Sequence, residues 1–153
     1  MLLMFPDKET IFAGLESWDW YDFSEMTPIA VTAFGDVFFE SSAGIYFLDK
    51  VSGDFTVVCK TKSELEAILN TPDGRDHYLM AELVLLAIGR GLVLDEGECY
   101  EFKVAPFLNG PIEYDNLQKM DFKISLHITG QLIKQVTNLP PGAKISEIKI
   151  SDA

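Results

Sequence analysis

The side chains that could do nucleophilic, acid–base or metal chemistry are few: Cys59, Cys99, His77 and His127, with a run of carboxylates at Asp95, Glu96, Glu98 and Glu101. The histidines lie far apart in sequence, and neither stands at metal-ligand spacing from a second His, Cys or acid. His77 follows Asp76 at an expected helix start and reads as a surface residue. His127 sits in an apolar run and reads as a structural histidine rather than a general base. A Cys–His pair stays open, because such pairs are spatial rather than sequential. Lys60 beside Cys59 is the one basic neighbour that would favour a thiolate, so buried free thiols in a reducing compartment are the default. The acids at 95–101 lack the alternating D-x-D-x-D-G order of a calcium loop. No nucleophile elbow, phosphate-binding glycine loop or dinucleotide fingerprint is present. The expectation is a protein with no catalytic residue, no cofactor and no metal.

Charge says more. Twelve Lys and Arg stand against 24 Asp and Glu, a net charge of −12. Phosphate recognition needs a basic footprint, so DNA, RNA and anionic membranes are disfavoured as partners. The imbalance suits either plain solubility or a basic protein partner drawn in by opposite charge. It is uneven: residues 1–60 hold ten acids and three basics, residues 61–100 eight and three, and residues 101–153 six and six. The candidate partner-binding acids are Asp19, Asp22 and Glu25 before the expected sheet, Asp36, Glu40, Asp49 and Asp54 at its strand ends, and Asp95, Glu96 and Glu98 beyond it. Were they to converge, the patch would mimic a polyphosphate and suit a nuclease or similar basic protein.

The elements that must position these groups centre on Phe34–Lys60. Val37–Phe39, Ile45–Leu48 and Phe55–Val58 are aromatic and β-branched runs separated by Gly-containing turns, which predicts an antiparallel meander. Ile29–Phe34 adds a strand. Before it, Ile11, Phe12 and Leu15 suggest a short helix capped by Asp7 or Thr10. The aromatic-acid stretch Trp18–Glu25 is either a recognition surface or, preferably, a second short helix docking its aromatics on the sheet. Thr61 or Ser63 caps a helix with Leu65, Ile68 and Leu69 on one face, broken by Pro72-Asp73-Gly74. Asp76–Arg90 is apolar nearly all round, so it is expected as a buried helix and the sheet's central packing partner, ended by Gly89 and Gly91. Residues 121–136 alternate like a strand yet also fit a helix capped by Asp121, with Gly130 weakening the helix. Pro140-Pro141-Gly142 then precedes a possible edge strand at Ile145–Ile150. The expected class is α+β: an antiparallel meander packed against a largely buried helix, with additional short helices. One domain over 1–153 is expected, with an extension at 1–28, strands at 29–60, helices at 61–90 and a mixed segment at 91–153. The start has no basic region and too short an apolar stretch for a secretory signal, so a cytoplasmic location is expected.

Two blocks resemble a known family. TAFGDVFFESSAGIYFLDKVSGDFTVV resembles the sheet segment of type VI secretion immunity proteins of the Tdi-like family, in which an FGD strand precedes a g-i-y-LD element. The stretch from Gly91 to Gln135 resembles their C-terminal immunity domain, through Leu94 with Gly97, Cys99-Tyr100, Phe102, Leu108–Gly110 and His127, Gly130 and Gln131. The resemblance thus describes a C-terminal immunity domain behind a GAD-like sheet segment. It implies a non-catalytic protein that binds and neutralises a cognate toxin, often a DNase, as a heterodimer. A non-catalytic acidic binding module or regulator of the same fold is the second expectation, separated by the absence of a toxin-like neighbouring gene. A small enzyme comes third and requires a deep pocket around His127, Cys99 or Cys59 with a perturbed titrating group.

Overall fold

The computed structural model describes residues 2–139 and 149–151. The described residues form an α+β fold of seven strands and five α-helices. Five strands make one antiparallel sheet in the order β1-β2-β3-β4-β5: β1 (Leu3–Met4), β2 (Thr27–Thr32), β3 (Val37–Ser41), β4 (Gly44–Leu48) and β5 (Phe55–Cys59). The meander expected at 29–60 is therefore present, and β1 extends it by pairing Leu3 with Thr32. Alternation along the strands sends residues to opposite faces. Val31, Val37, Phe39 and Leu48 face one core, while Ala30, Phe38, Ile45 and Phe47 face another.

The first face is covered by α1 (Lys8–Leu15) and α5 (Phe122–Thr137), through Ile11, Leu15, Phe122, Leu126 and Ile133. Asp7 caps α1 by accepting from Thr10 N at 2.8 Å, and Asp121 caps α5 by accepting from Ile124 N at 3.0 Å. Residues 122–137 are thus helical, and Gly130 has a packing role. A Cβ there would lie 2.2 Å from Ser17 Oγ and 2.7 Å from Trp18 Nε1. The bare glycine lets Trp18, fully buried, donate to Leu126 O at 2.9 Å while Ser17 donates to His127 O at 2.7 Å. Residues 16–26 form turns rather than the second helix expected there. Their aromatics still dock as expected, with Phe23 stacked on Phe39 at 5.3 Å and Tyr21 packed on Phe55.

The opposite face is covered by α2 (Lys62–Leu69) and α3 (Pro72–Leu79), through Leu65 and Leu79. Thr61 caps α2, and Thr71 caps α3 by accepting from Gly74 N. Pro72 does not simply break α2; it opens α3 at its first turn, where a missing N–H costs nothing. The single apolar helix expected over 76–90 is corrected: Met80, in the left-handed region at φ 48, separates α3 from α4 (Ala81–Gly89). Nor is α4 buried all round. Val84 and Ala87 pack on Phe34, Tyr100 and Phe102, but Leu85 remains 62% exposed. The helix that packs centrally on the sheet is α5.

A two-stranded ribbon, β6 (Glu98–Phe102) with β7 (Leu117–Asp121), closes the end of the sheet. Of the expected edge strand at Ile145–Ile150, residues 145–148 lie outside the described residues, as does Pro140-Pro141-Gly142; Lys149 and Ile150 are not in a strand.

Candidate functional site

The acidic residues singled out from the sequence fall into separate groups. Tyr21 donates its hydroxyl to Gly53 O at 2.7 Å, which ties the 16–26 segment to the β4–β5 turn that carries Asp54. Asp19 binds Lys134 Nζ through both oxygens at 2.8 Å, and Glu25 is exposed nearby in sequence. Asp22 accepts from Ser24 N, and that bond holds its carboxyl below the usual range. Asp49 is half-buried and accepts from Val51 N. Glu40 stands elsewhere, 3.6 Å from Lys62 at the start of α2.

Asp36 is not a surface residue; it is 2% exposed. Thr32 Oγ1 donates to Asp36 Oδ2 at 2.7 Å and Lys50 N donates to Oδ1 at 2.8 Å. Burial, helped by Asp49, pushes its pKa up to about 6. It belongs to an internal network, not to an acidic face. Lys50 is buried beside it, with Nζ 3.1 Å from both Phe34 O and Glu101 Oε2. Burial pulls the Lys50 pKa down, but Glu101, Cys99 and Asp36 together hold it above its usual value. Ser125 also donates to Glu101 Oε2 and accepts from Lys50. Sequence reasoning missed this triad because its members are 14 and 51 residues apart, and no local pattern links them.

The remaining group surrounds a groove. Asp95 and Glu98 flank Lys119 at 3.3 and 3.5 Å, and Glu98 Oε1 accepts from Asp95 N. Asp95 and Glu96 edge a cavity of about 790 Å³, which is also lined by the two helix-capping acids Asp7 and Asp121 and by Lys123. Its apolar lining includes Phe5, Ile88, Val93 and Phe122; Phe5 is 73% exposed. The helices α1 and α5 run parallel, so both their N-termini open here, while Asp19 meets Lys134 at the other end. Asp121 and Lys134 are thirteen residues apart on α5, about 20 Å of helix. The acids at 95–98 and those at 19–25 therefore do not form one patch. Asp7 and Asp121 were legible only as caps; that both cap the same end of the molecule is a tertiary fact.

The thiols and imidazoles give no dyad. Cys59 and Cys99 are both pushed up by burial, and the groups acting on them are Glu64 and Thr61 for the first, Lys50, Ser125, Glu101 and Asp36 for the second. Neither histidine is among them. His77 is exposed, as expected, and packs edge-on against Tyr78. His127 is buried, and its Nδ1 has no hydrogen-bond partner among the described residues. No group of three or more metal-ligating side chains occurs among the described residues. No helix there is long and apolar enough to cross a membrane.

Residues 60–133 match the family model described as T6SS immunity protein Tdi1, C-terminal. The match spans α2 to α5, including the Asp95–Glu98 loop and the groove's far wall. It leaves out the sheet and the acids at 19–25. No curated protein matches the chain. Among solved structures, Atu4351 from Agrobacterium tumefaciens is similar in fold, with a TM-score of 0.55 and 14% identity over 85% of this chain. This chain spans 66% of the length of Atu4351.

Proposed function

We propose that this protein, whose residues 60–133 match the C-terminal family of the T6SS immunity protein Tdi1, binds and neutralises a toxin of a type VI secretion system. The family match is the observation that carries the reading. It acts by occupancy rather than catalysis, as a heterodimer with the toxin, inside the cell that makes both.

Charge favours a nuclease as the toxin. A nuclease accepts phosphates in a basic cleft, and a chain of net charge −12 is drawn to such a cleft rapidly and in a salt-sensitive way. Of the separate acidic groups, the 95–98 loop is the best supported contact. It lies within the matched span, and it borders apolar surface at Phe5 and Val93. Apolar centre with charged rim is the usual anatomy of a protein interface.

The test is co-expression with the product of the adjacent open reading frame. The expected outcome is restored growth and intact DNA in cells that the neighbour alone kills. Killing that proceeds unchanged with the chain present would refute the reading, and the absence of any toxin-like neighbour would favour a regulator of the same fold.

A further inference from the structure

Gln131 and Gln135 stand one turn apart on a half-buried flank of α5, and both side-chain amides are engaged by the backbone of residues 149–151. Gln135 donates from Nε2 to Lys149 O at 2.6 Å and accepts from Lys149 N through Oε1 at 2.9 Å. Gln131 repeats the arrangement two residues further on, donating to Ser151 O at 2.9 Å and accepting from Ser151 N at 2.7 Å. Each amide thus exchanges both bonds with a single residue, as two residues of an antiparallel hydrogen-bonded pair do. The repeats agree as well. Four residues of helix rise about 6 Å, and two residues of extended chain about 6.6 Å. Gln135 Nε2 also donates to Gln131 O at 3.2 Å, which steadies its amide on the helix. The two glutamines therefore present α5 as if it were the edge of a strand, and residues 149–151 lie along it antiparallel to the helix.

What the amides read is almost wholly main chain. Ser151 Oγ adds one bond to Gln131 Oε1 at 3.3 Å, but Lys149, Ile150 and Ser151 are all exposed, Ile150 by 50%. Any extended segment with an N–H at both read positions satisfies the same four bonds, and proline at either position does not. Bonds open to solvent contribute little each, because water replaces them on release. Ile150 buries too little to hold the segment by packing. Residues 149–151 thus fill the site without being locked into it. The chemistry is that of strand addition, in which main-chain bonds supply the affinity.

We infer that Gln131 and Gln135 form a binding site for extended polypeptide main chain, occupied in the free protein by residues 149–151 and in the complex by an extended segment of the toxin. The toxin as occupant rests on the immunity reading; the site itself does not. Residues 149–151 act as a resident competitor, and the apparent affinity for the toxin falls by the fraction of time the site is filled from within. The four bonds are uncharged, so this contact adds nothing to the salt dependence expected at the 95–98 loop.

Two arms test it. In the first, amide hydrogen exchange is followed by NMR in the full chain. Relative to their unprotected rates, Lys149 and Ser151 should exchange about five-fold more slowly than Ile150, whose N–H alternates to the other side. The difference should vanish in the double variant Gln131→Met, Gln135→Met, which keeps side-chain length and removes both amides; its melting curve reports folding. Equal exchange at all three positions, or protection that survives in the double variant, overturns the site. In the second arm, toxin binding separates a receiving site from a merely structural strap, because changes on the two sides of the contact act in opposite directions. The glutamine variant should weaken binding by about five-fold or more. The variant Lys149→Pro, Ser151→Pro lies outside α5 and removes both N–H groups of the resident, so it should tighten binding by about two-fold or more. Any other pair of directions overturns the toxin as occupant. If the unaltered chain binds no toxin, the immunity reading fails and takes that occupant with it, while the exchange pattern still decides the site.

Discussion

Asp36 is held by Thr32 Oγ1 and Lys50 N in a site closed to solvent, and its pKa there is about 6 against an ordinary 3.8. The fold thus favours its protonated form. Stability from this group is complete below pH about 4 and is lost as pH rises through about 6, an effect on the order of 3 kcal/mol. About 1 kcal/mol of that falls between pH 5 and pH 7. Urea unfolding at those two pH values should show the loss in the unaltered chain and a flatter response in Asp36→Asn; equal slopes would mean that Asp36 is ionised throughout. Asp36→Asn should also be less stable overall. Thr32 Oγ1 already accepts from Phe34 N and Asp36 N, so it can only donate toward the side chain, and an amide NH₂ there would face a donor. In the sequence Asp36 reads as a strand-end acid on a candidate binding face. Its burial depends on Lys50 and Glu101, which arrive from the next hairpin and from β6, and spacing carries no trace of that. Cys99 and His127, by contrast, were legible as buried residues from their apolar neighbours alone.

At the scale of elements, α5 rather than the helix expected at 76–90 covers the sheet's first face, and α4 is only partly buried. A helix apolar nearly all round reads as buried, yet α4 leaves Leu85 and Leu86 in the open. Hydropathy reports what a helix can bury, not how much neighbouring surface exists to cover it. Leu85→Lys is expected to change stability by about 0.5 kcal/mol or less, whereas Leu126→Ala in α5 should cost about 2–5 kcal/mol. Chemical denaturation of the two variants checks the ranking, and a large loss from Leu85→Lys would show that something covers it. Gly130 makes the same point more sharply. By helix propensity Ala would be the better residue, but its Cβ would strike Ser17 and Trp18 where α1 seats on α5. Gly130→Ala should therefore destabilise by about 3 kcal/mol or more, with loss of the two hydrogen bonds from Ser17 and Trp18 to the carbonyls of His127 and Leu126. A midpoint within error of the unaltered chain would contradict that packing. The meander and the caps at Asp7, Thr61 and Asp121 were readable because turns and caps are local chemistry. The tie between strand and helix at 121–136 was not, since it is decided by what α1 and Trp18 require.

The whole molecule carries its excess charge in separate groups, and this changes how the interface is to be sought. Counting acids along the chain suggests one face; the fold puts about 20 Å of α5 between the 95–98 loop and the Asp19–Lys134 pair. Changing Asp95, Glu96 and Glu98 together to Lys should slow association with the toxin and flatten its dependence on salt, because charges at the contact steer encounter. The matching change of Asp19, Asp22 and Glu25 should leave the salt dependence closer to that of the unaltered chain. The reverse ranking, read by stopped-flow or surface-based kinetics, would move the contact to the other end of the molecule. The resemblance to the family was legible in the sequence because a few Gly, Asp and aromatic positions recur in order. The proposed contact surface was not, because the groove it borders is assembled from α1, the 93–97 loop and the start of α5.

The most direct measurement is the equilibrium affinity of the purified chain for the purified product of the neighbouring reading frame, taken at low and at physiological salt with DNA cleavage followed in the same samples. A one-to-one complex that tightens at low salt and abolishes DNA cleavage in proportion to occupancy is the expected result. A neighbour that binds no chain, or that cleaves DNA unhindered while bound, would contradict it.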